Sequence, residues 1–464
     1  MPSIFWGMGK VLRTSSAVYF CALAVMGSAQ AQAAPLAEEV TSLLAGNPRI
    51  EAARNNLRAA EKGIDEAFGD YLPRLDLRAD MGHLYADSPT RRTQGEDQYA
   101  AGRETATLTL TQKIWDGGAR EAEYQSAQLQ RDAAASAVNA TVQEVILEAA
   151  TAYMTVLRQT RLLELSRENE RNIMEQLNLE NERVQRGSGI AVDVLQAKSR
   201  LQIAKERRVA VEGALRDAQA RYLQVFGTPA VVDSMTRPRP PVDLLPETLD
   251  AAIEIARAEN PAVTSGAKQI AIADERRDLA ESGYYPRFNL ELSGTYENDV
   301  DPHLRDAPGM NREFSALVTA NWNIFNGFAT KAAVARTAFE HAAARDTQAQ
   351  TLRRVSEQVR VAWEALQTAR ERVSLLGNAV TIAQEVYDAR LRLRQSGRDT
   401  ALNVLDAENE VFTARINYTS ALFEAQIATY RLLAAMGRLD PEVLDQVAAG
   451  SGEPGTTSLA AAEG

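Results

Sequence analysis

The chain has 464 residues, with 51 Lys and Arg against 62 Asp and Glu, for a formal net charge of -11. An acidic surface of this kind speaks against nucleic acid as a partner, because phosphate backbones are held by basic patches. A single cysteine, Cys21, excludes a disulfide framework and any cysteine cluster for metal or redox chemistry.

Residues 1–33 read as a cleaved signal peptide. Lys10 and Arg13 precede an apolar run over 17–26, and Ala29-Gln30-Ala31 or Ala31-Gln32-Ala33 supplies a small-x-small cleavage site. The run falls short of the about 20 apolar residues of a membrane-spanning helix. Cys21 lies inside it behind Phe20, a poor setting for a lipid-anchored cysteine. Removing the leader takes away Lys10 and Arg13 and no acid, so the charge moves from -11 to -13.

After a short helix at 36–44, Asn47-Pro48 opens a second one, with proline at the tolerated first turn. It ends at Tyr71-Leu72-Pro73-Arg74. Two segments of period-two alternation follow, at 75–86 and 104–115, joined by a polar connection over 86–102. Trp115-Asp116-Gly117 closes the second. From 119 to 186 there is no glycine or proline, and Val138, Val142, Val145, Ala149, Ala152, Val156 and Leu163 form a heptad seam. A second stripe, Ile146, Ala150, Tyr153 and Leu157, allows packing on two sides; the plainer reading is a two-stranded coiled coil. The helix turns at Gly187 and returns from about Asp193 to Gly227.

The same order then recurs. Asn260-Pro261 and Tyr284-Tyr285-Pro286-Arg287 follow their counterparts by 213 residues, and Phe325-Asn326-Gly327, Gly397, Val404-Leu405 and Gly437 follow theirs by 210. The chain is a tandem duplication: 34–229 and 260–439, with a Pro-rich linker and helix at 230–259 and a disordered tail expected at 440–464. The second pair of strands is expected at 288–297 and 314–325. The seam returns as Leu352, Val355, Val359, Ala362, Leu366, Ala369 and Val373.

Alternating strands fit a sheet on a soluble core, or a barrel wall with lipid outside and water inside. Long helices offer no compact core for such a sheet. Tyr71, Trp115, Tyr284, Tyr285, Trp322 and Phe325 stand near the strand ends, where an interfacial aromatic belt belongs. Four strands cannot close a barrel, and open edges are not tolerated in lipid. Three copies, giving twelve strands, would close one. The expected class is mainly α with a β-barrel part: a duplicated protomer of four membrane strands and long coiled-coil helices.

The Asn-Pro helix openings, the Tyr-x-Pro strand openings, the Trp115-Asp116-Gly117 and Phe325-Asn326-Gly327 exits, and the tips at 186–195 and 397–407 stand twice in the same order. In this the chain resembles the TolC family of outer-membrane channel-tunnels. The resemblance implies a homotrimer in the outer membrane, with a twelve-stranded barrel and an α-helical barrel crossing the periplasm. It implies a periplasmic adaptor and an inner-membrane ABC exporter or proton-driven pump as partners. Type I protein secretion is the first expectation and tripartite multidrug efflux the alternative. A soluble periplasmic coiled-coil adaptor or structural protein is the competitor from another class.

The resemblance also implies the site. Family members narrow at the second tip through two acidic residues three apart; here Asp406 matches the second, and Asn403 replaces the first, leaving three ring charges rather than six. The family's basic residue two after the glycine is Asp399 here, so Arg398, Arg394 or Arg186 would take over the link that holds the tip closed. Asp193 is a candidate partner, or else a first-turn acid serving the helix dipole. Gly187, Leu195, Gly397 and Leu405 are candidates for adaptor docking; the plainer readings are a turn requirement and a core position. No enzyme signature and no cofactor site is found. His83, His303 and His341 are scattered, and Gly187-Ser188-Gly189 lacks the lysine of a phosphate loop.

Overall fold

The computed structural model describes residues 36–86, 99–187, 190–299 and 309–441. The leader, Cys21, His303, the distal parts of both polar connections and most of the tail lie outside the described residues.

Helix α1 (Leu36–Gly46) leads into α2 (Pro48–Gly69), strands β1 (Arg74–Ala86) and β2 (Tyr99–Trp115), the long helix α3 (Ala119–Gln185) and its return α4 (Ala191–Phe226). The linker carries α5 (Leu249–Glu259). The second copy then builds α6 (Pro261–Glu281), β3 (Arg287–Asp299), β4 (Gly309–Asn321), α7 (Ala329–Gln395) and α8 (Ala401–Met436). Both long helices have 67 residues and both returns 36, so α3 and α7 each reach roughly 100 Å at about 1.5 Å per residue.

The Asn-Pro openings work as caps. The Asn47 side chain accepts from the N–H of Arg49 at 2.9 Å, and that of Asn260 from the N–H of Ala262 at 2.9 Å. Asn260 also donates to Ala435 O at 3.0 Å, tying the start of α6 to the end of α8.

Helix α3 packs against α2, α4, α6 and α8. Its two stripes are both buried, Val145, Ala149 and Val156 on one and Ile146, Ala150 and Tyr153 on the other. The two-sided reading therefore holds over the plain two-stranded coiled coil. These residues share one core with Val359 and Leu366 of α7 and Leu432 and Leu433 of α8. The linker lies across this core, where Thr236 O accepts from the Tyr153 hydroxyl at 2.9 Å.

The strands form one antiparallel sheet in the order β1-β2-β3-β4. Its register stacks Leu77, Leu108, Gly294 and Phe314 on one face, and Leu75, Leu110, Leu292 and Ala316 beside them. On the other face Thr107 meets Thr295 at 3.3 Å and Ser293 meets Ser315 at 2.7 Å. Among the described residues no helix packs broadly on this sheet, and its apolar face is bare: Leu77 is 72% exposed and Phe314 79%. A soluble sheet would cover that face, so the packed-core alternative fails here.

Three strand bounds differ from expectation by four residues or more. β2 starts at Tyr99 rather than 104, β4 starts at Gly309 rather than 314, and β4 stops at Asn321 rather than 325. β2 reaches Trp115 because an irregularity between Lys113 and Trp115 keeps it paired to Phe288 of β3. Among the described residues β4 has no neighbour on its outer side, and the Trp322 indole instead donates to Tyr284 O at 3.1 Å. Asn326 then bonds the Thr330 hydroxyl at 2.7 Å as α7 begins.

The two strand-to-helix turns are not equivalent. Gly117 and Gly327 both have positive φ, but a Cβ on Gly117 would meet Tyr285 Cβ at 2.8 Å and Ser282 O at 3.0 Å, while one on Gly327 meets open space. Gly117→Ala is therefore expected to lower the melting temperature more than Gly327→Ala, which carries only the left-handed backbone penalty of about 1–2 kcal/mol. Thermal unfolding of the two variants side by side checks this.

Candidate functional site

The aromatic residues collect at one end of the sheet, where it meets the helices. Tyr71 stacks on Phe68 with centroids 5.9 Å apart, and its hydroxyl donates to Glu121 at 2.8 Å. Trp115 meets Tyr285 edge-on at 5.9 Å, and Phe325 meets Phe328 at 5.4 Å. Trp115, Tyr284, Tyr285, Trp322 and Phe325 all keep large exposed faces. Apolar rings with polar tips, set at the end of an exposed apolar sheet, suit the interface between hydrocarbon and water.

The tips lie at the far ends of the hairpins. The second is the better defined. α7 ends in a Schellman turn: Gly397 has φ +73°, its N–H bonds Arg394 O at 3.0 Å, and the Arg398 N–H bonds Leu393 O at 2.9 Å. A Cβ at Gly187 or Gly397 would meet nothing, so these glycines serve the backbone conformation and not a close approach.

Of the three basic candidates, Arg394 is the one that reaches across. Its guanidinium pairs with the Glu180 carboxylate on α3 and donates to Asp399 O at 3.4 Å. Glu180 and Arg394 retain only 5% and 15% side-chain exposure. Arg186 pairs instead with Glu182 on its own helix at 3.2 Å, and Arg398 is exposed. Asp399 accepts from the Asn403 amide, from the Thr400 N–H at 2.8 Å and from Arg390 at 3.4 Å. These bonds, Asn403's first, hold its carboxyl below the usual range. Asn403 thus spends its amide inside the turn.

Asp406 stays exposed on α8 and pairs with Arg200 of α4. One turn on, Arg207 donates to Asn409 at 2.8 Å, and further up Arg415 donates to Glu168 at 3.3 Å. Four polar links therefore join the first hairpin to the second near the tips. Asp193 sits half-buried in the first turn of α4, beside the positive end of the helix dipole.

The docking candidates separate. Leu195 is 64% exposed and adjoins exposed Ile190 and Val192. Leu405 is only 4% exposed and packs with Ile173, Leu177 and Val194. Its heptad position turns it inward, so it is removed from the docking set.

Sequence reasoning missed Arg200, Glu180 and Arg390. One signal was available: Glu180 and Arg390 are repeat counterparts, 210 residues apart, with opposite charge. Arg200 and Asp406, 206 residues apart, are not counterparts of each other.

Among the described residues no group of three His, Cys, Asp or Glu could hold a metal ion, and no helix is long and apolar enough to cross a membrane. The second statement leaves a β-barrel untouched.

Comparison with known proteins adds to this geometry. The outer membrane efflux protein family model matches residues 40–228 and 252–438. The outer membrane efflux protein BepC of Brucella suis is 24% identical over 94% of this chain and 93% of its own length. The alkaline protease secretion protein AprF of Pseudomonas aeruginosa is 23% identical over 88% of this chain and 85% of its own. The crystal structure of the Vibrio cholerae outer membrane protein VceC superposes with a TM-score of 0.72 at 17% identity, covering 87% of this chain and 96% of that one. The duplicated match spans both repeats and every element that builds the sheet and the tips. The chain belongs to the outer membrane efflux protein family.

Proposed function

We propose that three copies of the chain close into a duct through the outer membrane and the periplasm, serving type I protein secretion with an adaptor and an inner-membrane ABC exporter. The observation that carries this reading is the apolar face of the four-stranded sheet, left uncovered among the described residues, with the outer edges of β1 and β4 unpaired there too. A second copy also finds a ready surface on α7. Leu375, Ala379, Ile382, Val386, Ala389 and Leu393 alternate spacings of four and three, and the large members of this seam are exposed. It is distinct from the buried seam further up the same helix, and a neighbouring protomer's helices would cover it.

In this reading the ties between the hairpins keep the tips drawn in, with Arg394 in the holding role. Threefold symmetry makes Asp406 a ring of carboxylates paired with Arg200. Exposed Ile190, Val192 and Leu195, beside the turns at Gly187 and Gly397, form the adaptor-docking surface. The lack of any cysteine after Cys21 and the likeness to AprF favour secretion of a protein cargo. The likeness to BepC supports the other reading, tripartite efflux with a proton-driven pump.

In the native host, loss of the chain is expected to abolish export of a large protein while leaving resistance to small toxic compounds unchanged. The opposite pattern would select efflux. In planar bilayers Asp406→Asn is expected to bring cation selectivity to unity or reverse it, because Arg200 is left without its counter-charge. Unchanged selectivity would remove Asp406 from the ring.

A further inference from the structure

Just above the tip, α3, α7 and α8 enclose a cavity of about 170 Å³, lined by Glu168, Asn169 and Asn172 of α3, Gln384 and Tyr387 of α7, and Glu408 and Arg415 of α8, among others. Two of its groups are acceptors that meet no donor in hydrogen-bond geometry: both carboxylate oxygens of Glu408, and Asn169 Oδ1. Each residue is only 5% exposed. Buried acceptors left in this state are costly, and native structures normally supply the missing donor.

The neighbours do not supply it. Arg415 is the only cation lining the cavity among the described residues, and it already donates to Glu168 at 3.3 Å and to Gln384 at 3.0 Å. Asn172 lies close enough to favour the charged form in part, without completing a bond. Glu175 on α3 adds a like charge, and Asp388 on α7 adds another near Tyr387. From α4, Arg207 faces the Phe412 ring at 6.0 Å and spends a donor on Asn409. The surroundings are acceptor-rich and acidic. A hydrogen on Glu408 removes the buried charge and turns one of its two oxygens into a donor to Asn169 Oδ1, directly or through water, for which the cavity has room at about 30 Å³ per molecule.

We propose that Glu408 and its cavity form a proton-binding site in which the bound proton holds α8 against α3, so that acid locks the tip and alkali loosens it. The regulatory part rests on the reading of the tips as a gate. Burial, with Glu175 adding to it, pushes the Glu408 carboxyl up from 4.5 to about 7. A carboxyl raised in the packed state gives its full support below the pKa it has when exposed. That support is lost as pH rises through about 7. The gap between 4.5 and about 7 corresponds to a shift of about two orders of magnitude per protomer in the packing equilibrium.

Hydrogen exchange of the detergent-purified full chain tests this without any current being measured, so failure of the channel reading and failure of this site are told apart. The backbone amides of residues 401–412 are followed at pH 5 and pH 8, with intrinsic rates corrected. Wild type is expected to lose about a hundredfold of protection at the higher pH, while Glu408→Gln keeps it. Glu408→Leu, of similar size and free of charge, gives the same reading if the glutamine variant folds poorly. Equal protection of the wild type at both pH values, or the same loss in the Gln and Leu variants, would overturn the proposal.

Discussion

Arg394→Ala is expected to destabilise the closed tip by about 1–3 kcal/mol, the cost of removing the buried partner of Glu180 while Arg183 stays 3.5 Å from the same carboxylate. Its partner Glu180 is almost fully covered, so after the substitution the carboxylate depends on the longer contact with Arg183. The backbone around Asp399 loses a donor at the same time. The loss falls on the hairpin contact, and the variant should conduct more in bilayers than wild type. Arg398→Ala and Arg186→Ala are the matching controls. One residue is exposed and the other is paired within its own helix, so each should stay within about 0.5 kcal/mol of wild type. Replacing Glu180 and Arg394 together by leucine should recover much of the stability, since no buried charge is left behind. If Arg398→Ala opened the tip and Arg394→Ala did not, the holding role would pass to Arg398.

The second large effect is expected at Gly437, where α8 ends against the start of α6. Gly437 has φ +84°, and a Cβ there would meet Asn260 Cα at 2.7 Å and Asn260 N at 3.0 Å. These are backbone atoms of a helix cap, and they cannot yield without moving α6. Gly437 O also accepts from the buried Gln143 side chain at 2.7 Å, and Arg438 clamps Glu259 through two bonds of 2.6 Å. Adding the left-handed penalty to the overpacking gives about 2–5 kcal/mol for Gly437→Ala. Its counterpart Gly227 has φ +75° with open space around the same position, so Gly227→Ala should show the backbone part alone. The difference between the two in thermal unfolding isolates the close approach to Asn260. Equal losses would mean that the α6–α8 junction has more slack than these distances allow.

Much of the fold was legible because its periods are long and repeated. The heptad seam of α3, the matching seam of α7, and the alternation of β1 and β3 each follow from residue spacing alone. The end of β4 was not legible. Ile324 continues the alternation, and only the tertiary bond from Trp322 to Tyr284 shows that the strand has already stopped. The tip was legible as a place and not as a set of contacts. Gly397 and Asp406 stand out in the sequence, but Arg200 meets Asp406 from 206 residues away, and no local pattern encodes that. Leu195 and Leu405 occupy matched positions in the two repeats, yet one faces solvent and the other is core. The reason is that α8 packs broadly against α3 as well as against its own partner α7, whereas α4 packs broadly only against α3 and touches the second hairpin through a narrow contact with α8.

In the proposed reading the chain builds a duct held closed by ties between its two hairpins. Single-channel recording of the detergent-purified protein, wild type beside Arg394→Ala, tests this most directly. Discrete cation-selective steps of low conductance are expected in the wild type, and larger steps in the variant from particles of the same trimeric size. Absence of steps from a protein that stays soluble without detergent would contradict the duct, and identical steps in the two proteins would contradict the latch.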